Sequence, residues 1–167
     1  MISKITNFLI YILRYFSIIN SNYEISSSIN FGSKTSNDYF KRLLKTSKSY
    51  LEYGSGSSTL LAKKLNKKFI SVETDKSFYS FLKNKGINQI IYSDIGPTKY
   101  YSIPILPTFI IKKKVKEYAY QISSMSNNFK FFPDLILIDG RFRVYVAIQV
   151  IIFCIKNIKY NKTVIII

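Results

Sequence analysis

The chain has 167 residues, 47% of them apolar, which is one domain's length with enough apolar side chains to bury a core. It contains no histidine, which excludes histidine-ligated zinc, a histidine general base and Ser-His or Cys-His nucleophile pairs, and its single cysteine, Cys154, excludes an internal disulfide and fits a reducing, cytoplasmic compartment. The formal net charge is +16, from 25 Lys+Arg against 9 Asp+Glu. The lysines are scattered over predicted helices and loops, with Lys112-Lys113-Lys114 the one run of three, so they read as a solvated basic surface rather than a nucleic-acid interface.

Residues 5–19 (ITNFLIYILRYFSII) are strongly apolar, but Arg14 interrupts them, and the uncharged stretch 5–13 is too short to span the ~30 Å of a bilayer core. Three readings of residues 1–20 stay open: a helix packed on the domain, an interfacial helix touching a membrane surface or a protein, and a signal-anchor remnant. The first two are preferred. Residues 21–37, rich in Ser and Asn, read as a polar linker. The domain proper then covers residues 38–167. A helix is predicted over 38–46, with Asp38 able to cap it.

From residue 48 strands and helices alternate. Strands are predicted at 48–53 (KSYLEY), 68–73 (KFISVE), 89–93 (QIIYS), 134–139 (DLILID) and 162–167 (KTVIII). Helices are predicted at 57–66, with Leu60, Leu61 and Leu65 on one face, at 77–84, and at 143–157, with Val144, Ala147, Ile148, Ile151 and Ile155 at helical spacing. Apolar strand runs alternating with helices imply a parallel α/β sheet covered on both faces. Residues 96–133 break the rhythm with Pro97, Pro104 and Pro107 and a basic, aromatic helix candidate near 112–123. So long an excursion is expected to be a lid or binding loop.

Two features carry chemistry. Glu52-Tyr53-Gly54-Ser55-Gly56-Ser57-Ser58-Thr59 places a glycine-rich turn between a predicted strand and helix, where the backbone can approach a ligand closely. The third glycine of the dinucleotide fingerprint would fall at Thr59 and is absent, which counts against a diphosphate ligand and against a nicotinamide-dependent oxidoreductase. Four of the nine acids, Glu52, Glu73, Asp94 and Asp139, fall at or just past the carboxyl ends of predicted strands, the edge where open α/β sheets bind ligands. Glu73 lies 73 − 54 = 19 residues after the first glycine, near the ~20-residue offset at which an acid receives ribose hydroxyls.

Glu-x-Gly-x-Gly, an acid ending the second strand and an acid after the third resemble the class I S-adenosylmethionine-dependent methyltransferases, with their Rossmann-like parallel sheet. The blocks EYGSGSST, DIGPT and PDLILIDGRFR, in that order, resemble a poorly characterised bacterial-type methyltransferase-like family over residues 40–167. The resemblance implies S-adenosyl-L-methionine as cofactor. It implies Glu52, Gly54, Ser55 and Gly56 around its methionine part, Glu73 on the ribose, Asp94 on the adenine amino group with Ile95 against the ring, and Asp139 on the methyl-transfer side. No metal is implied. The cofactor's sulfonium and ammonium favour nearby acids. A proton acceptor is needed only when the methyl acceptor must lose a proton, and Asp139 or a tyrosine would then serve.

Arg141 and Arg143 read either as a grip on an anionic acceptor or as structural partners of neighbouring acids. Gly54→Val is expected to block the cofactor with little loss of fold. Five strands are predicted where the full methyltransferase sheet has seven, so the sheet reads as truncated after the fifth. That last strand would then be an apolar edge inviting self-association. Two functions remain from the sequence: methyl transfer to an unknown acceptor, and a catalytically degenerate or partner-dependent cofactor-binding domain.

Overall fold

The computed structural model describes residues 2–16, 23–99 and 103–167. Five strands form one parallel sheet: β1 (Ser49–Tyr53), β2 (Lys68–Glu73), β3 (Ile90–Tyr92), β4 (Leu135–Ile138) and β5 (Val164–Ile166), in the order β3-β2-β1-β4-β5. Tyr53 stands opposite Val72 on one side and Ile138 on the other, so three strands end level at the carboxyl edge. The expected Rossmann-like α/β sheet with helices on both faces is what the chain forms.

Strand alternation sorts the central strand between two cores. Tyr50 joins Phe40 and Leu44 of α2 (Lys34–Thr46), Ala62 of α3 (Ser57–Lys64) and Leu82 of α4 (Lys76–Asn84). Leu51 and Tyr53 face the opposite way. There they meet Val115 and Tyr118 of α5 (Thr108–Ala119), Met125 of α6 (Gln121–Asn128) and Val150 of α7 (Arg143–Ile155). Each fully buried side chain of this size stabilises the fold by about 1.5–3 kcal/mol, so Leu51→Ala or Leu82→Ala would cost about 3 kcal/mol. Cys154 sits beside the second core, and burial pushes its thiol up to about 11.

Three local expectations change. First, α2 begins at Lys34, not near residue 38. Its cap is Ser33, whose side chain accepts from the Ser36 N–H, while Asp38 lies inside the helix and pairs with Lys41 at 3.7 Å. The entry is fixed by Asn37, which accepts from the Phe31 N–H, and by Phe31 against Phe40 at 5.0 Å. The Ser/Asn-rich composition hid a capped helix start. Second, the single helix candidate near 112–123 is two helices, α5 and α6. No breaker residue separates them. The Tyr53 hydroxyl, reaching up from β1, donates to the Ala119 carbonyl and accepts from the Ile122 N–H, satisfying the backbone at the joint. Third, α5 and α6 are core-building, with Tyr118, Ala119, Ile122 and Met125 buried. The excursion is therefore largely the covered crossover from β3 to β4 rather than a free lid.

At the N-terminus α1 (Ile2–Tyr15) packs beside α4. Residues 17–22, which complete the apolar segment and open the linker, lie outside the described residues. Among the described residues no helix is long and apolar enough to cross a membrane.

Candidate functional site

The site begins where β1 ends. Gly54 has φ +95°, a left-handed conformation that favours glycine, and a Cβ there would stand 2.6 Å from the Gly140 Cα and 2.7 Å from its nitrogen. A Cβ on Gly140 would in turn overlap the Tyr118 hydroxyl and lie 2.9 Å from the Tyr53 carbonyl. The turns after β1 and β4 thus interlock through paired glycines. This corrects the expectation for Gly54→Val: the first obstacle to a branched side chain is protein backbone, so the fold itself is the casualty. Gly56 differs. Its φ of 177° is extended backbone open to any residue, and a Cβ there would meet nothing within 4 Å. A glycine at that position keeps space clear. The hollow above it, about 110 Å³, is lined by Asn30, Phe31, the 54–58 turn and Asp139.

Beneath the turn Glu52 is fully buried. Its carboxylate accepts from Tyr50 at 2.9 Å, from Ser58 at 2.6 Å and from Thr59. Burial pushes its pKa up against the pull of these hydroxyls. Thr59, at the position of the missing third glycine, also accepts from the Gly56 N–H at 2.8 Å. It therefore ties the helix start to the buried acid, a role glycine lacks. Glu73 is buried beside the same turn. One carboxylate oxygen accepts from Ser55 N–H at 3.1 Å, the other from Thr74 and Asp75 N–H at 2.7 and 2.8 Å. Burial raises its pKa too, opposed by these N–H groups and by the Arg141 charge.

Asp94 and Asp139 lie at the flanks. Asp94 receives the Tyr15 hydroxyl of α1 at 2.9 Å on both oxygens, the Gly96 N–H at 2.8 Å and the Lys114 ammonium of α5. Burial works against its charge, but Lys114, Gly96 and Tyr15 outweigh it and hold the carboxyl below the usual range. Ile95 is fully buried in the core under this loop. Asp139 forms an ion pair with Arg143, and Arg141 reaches Asp75 at 3.7 Å. Phe142 between them is left-handed, φ 52°, with its ring against the core, and the two arginines reach different acids. A second, larger hollow of about 480 Å³ lies beyond Asp139, lined by Tyr39, Phe40, Leu137, Arg143 and Ile166. It shares Asn30, Phe31 and Asp139 with the first, so Asp139 stands in the wall between them.

No family model matches the sequence, and no curated protein matches it. Among solved structures, a methyltransferase-like protein of Silicibacter pomeroyi superposes with a TM-score of 0.60 at 27% identity, over 74% of this chain and 68% of that one. The fold is methyltransferase-like.

Within this methyltransferase-like fold, Gly54, Ser55, Gly56, Glu73 and Asp139 converge on one stretch of the carboxyl edge. Glu52 and Ile95 lie underneath it, and Asp94 lies to one side under α1. Sequence reasoning missed four residues here. Asp75 caps α4 by accepting from Phe78 N–H at 2.9 Å, and an Asp directly before a helix was a readable signal. Tyr15 and Lys114 reach Asp94 across 79 and 20 residues, with no local signal. Tyr118 places against Gly140 a buried hydroxyl that has no hydrogen-bond partner among the described residues. Burial and the Glu73 charge raise its pKa, opposed by Arg141 and Arg143.

Proposed function

We propose that the chain binds S-adenosylmethionine over the turn after β1 and passes its methyl group to an acceptor beside Asp139. The observation that carries this reading is the hollow over Gly54, Ser55 and Gly56, which one acid, Asp139, shares with the larger cavity beyond. The residues fit the group. The small hollow suits the amino-acid end of the ligand, with an open glycine surface on one side and a carboxylate facing a cationic ligand on the other. Glu73 stands next to it to accept ribose hydroxyls, exchanging its bond from Ser55. Asp94 offers its carboxylate to the adenine amino group where Tyr15 now sits. The bound cofactor supplies an electrophilic methyl on sulfonium. The chain's part is to fix orientation and, for an acceptor that ionises, to receive the proton on Asp139.

A second reading, binding without turnover, is favoured by one observation: Asp94 and Asp139 are each already paired with a cation. Calorimetric titration tests the site. S-adenosylhomocysteine should bind and NAD should not; NAD alone, or neither, would remove the proposal. Radiolabelled methyl transfer into a broad extract then separates the two readings, since only the first produces labelled acceptor.

A further inference from the structure

The outer side of α7 exposes a row of large apolar side chains. Its inner side packs Val146, Ala147 and Val150 into the core. The stripe at helical spacing points mostly the other way: Val144, Ile148, Ile151, Ile155 and, just past the helix, Ile158 recur at intervals of 4, 3, 4 and 3 residues. Val144, Ile155 and Ile158 are 73%, 79% and 84% exposed. No charged residue occurs between Arg143 and Lys156. Past Ile155 the stripe borders an open hollow of about 600 Å³ between α7 and β5, partly lined by Ile151, Ile155 and Ile158. A contiguous apolar surface of this kind marks an interaction site.

The charge around it says which kind. Residues 140–167 contain five cations (Arg141, Arg143, Lys156, Lys159 and Lys162) and no Asp or Glu. The three lysines are exposed at the end of the stripe. The adjoining helix α5 exposes Phe109 together with Lys112, Lys113 and Lys116. A second copy would bring a like-charged rim against this rim, each on a chain of +16. A nucleic acid would meet the lysines but offer nothing to five aliphatic side chains. An anionic leaflet offers both environments within a few ångströms: acyl chain beneath, negative headgroups above, with lysine stems spanning the two.

We propose that the outer face of α7 docks on an anionic lipid surface, with the Val144-to-Ile158 stripe entering the interfacial layer and Lys156 and Lys162 meeting the headgroups, while Lys159 lies over the Phe132 ring. This surface is formed by a different helix from the apolar N-terminal segment, and it does not rest on the methyl-transfer reading.

Vesicle co-sedimentation of the full chain tests it. The chain should pellet with vesicles in which phosphatidylserine replaces part of the phosphatidylcholine, and stay in solution with phosphatidylcholine alone. Raising salt well above physiological strength, where the screening length is about 8 Å, should weaken the binding. Ile155→Gln with Ile158→Gln leaves the charge unchanged and alters only exposed positions, so circular dichroism should be native. Binding should fall about tenfold or more. Lys156→Gln with Lys162→Gln should weaken it about fivefold per lysine. The proposal is overturned if the chain ignores both vesicle types, or if binding survives both pairs of substitutions. It is equally overturned if ultracentrifugation finds a dimer, without lipid binding, that the isoleucine substitutions disperse.

Discussion

The four acids at the carboxyl edge fall into two pairs that solve the same electrostatic problem in opposite ways. Glu52 and Glu73, on the central strands β1 and β2, are buried and hold no direct ion pair among the described residues; hydroxyls and backbone N–H groups surround their carboxylates. Asp94 and Asp139, past β3 and β4, are about one-third and one-half exposed and are each held by a cation from a helix. A buried carboxylate ringed by hydrogen-bond donors is part of the framework, because removing it strands every donor. An exposed ion pair is weak and exchangeable, which suits a position where a ligand must compete for the carboxylate. The centre of the edge is thus built to stay, and its flanks are built to trade partners.

The largest expected effect comes from breaking the framework at its tightest point. Gly54→Val combines a left-handed φ with a contact of 2.6 Å to the Gly140 backbone. It should cost about 4 kcal/mol or more, seen as a lost or strongly shifted denaturation midpoint. A native midpoint would mean that the interlocked glycines are not what fixes the two turns. Next comes Glu52→Ala, which leaves the hydroxyls of Tyr50, Ser58 and Thr59 buried without their acceptor and should cost about 3 kcal/mol. Glu52→Gln keeps an acceptor and should stay within about 1 kcal/mol of wild type. Equal losses in the two variants would show that the charge, not the acceptor, matters.

Glu73→Ala sits between framework and site. It should lower stability by about 2 kcal/mol through three stranded N–H groups, and weaken S-adenosylhomocysteine binding by ~2–3 kcal/mol in calorimetry. Unchanged affinity would confine Glu73 to the framework.

The pairs should also separate by pH. Burial raises Glu52 and Glu73, so their protonation-linked contribution is complete below the ordinary glutamate pKa and is lost as pH rises through the raised values. Asp94 is lowered, so its contribution is present above the ordinary aspartate pKa and is lost as pH falls through the lowered value. Denaturation midpoints across acid to neutral pH should show a weaker first trend in Glu52→Gln, where the share of Glu73 remains, and lose the second in Asp94→Asn. The smallest effect belongs to the half-exposed Arg143, where Arg143→Gln should change stability by no more than about 0.5 kcal/mol. A larger loss would move Asp139 from the exchangeable flank into the framework.

Much of this arrangement was legible along the chain. All five strands were placed within two residues of their observed ends, because continuous apolar runs such as LILI in β4 belong to strands buried on both faces. The glycine turn and the row of acids followed from position alone, since a parallel sheet brings all its carboxyl ends to one edge. Less legible were elements whose boundaries depend on a distant partner. The break between α5 and α6 needs the Tyr53 hydroxyl, 66 residues from the carbonyl it serves. The helical stripe of α7 announced a helix, yet of its residues only Ala147 is packed, beside Val146 and Val150 from outside the stripe. Periodicity gives a helix its faces, and the neighbours choose which one is covered.

By itself the sequence determined the alternation of strands and helices, the Rossmann-like class and the line of carboxylates, because burial on both faces and the period of each element are written locally. Only the tertiary structure decided which of those carboxylates became framework and which became flank. Glu52 and Asp94 are both acids at strand ends. One is sealed by donors within seven residues of it, and the other is claimed by Tyr15 and Lys114 from helices far along the chain. A carboxylate's chemistry is set by its desolvation and its partners, and those are properties of the folded neighbourhood.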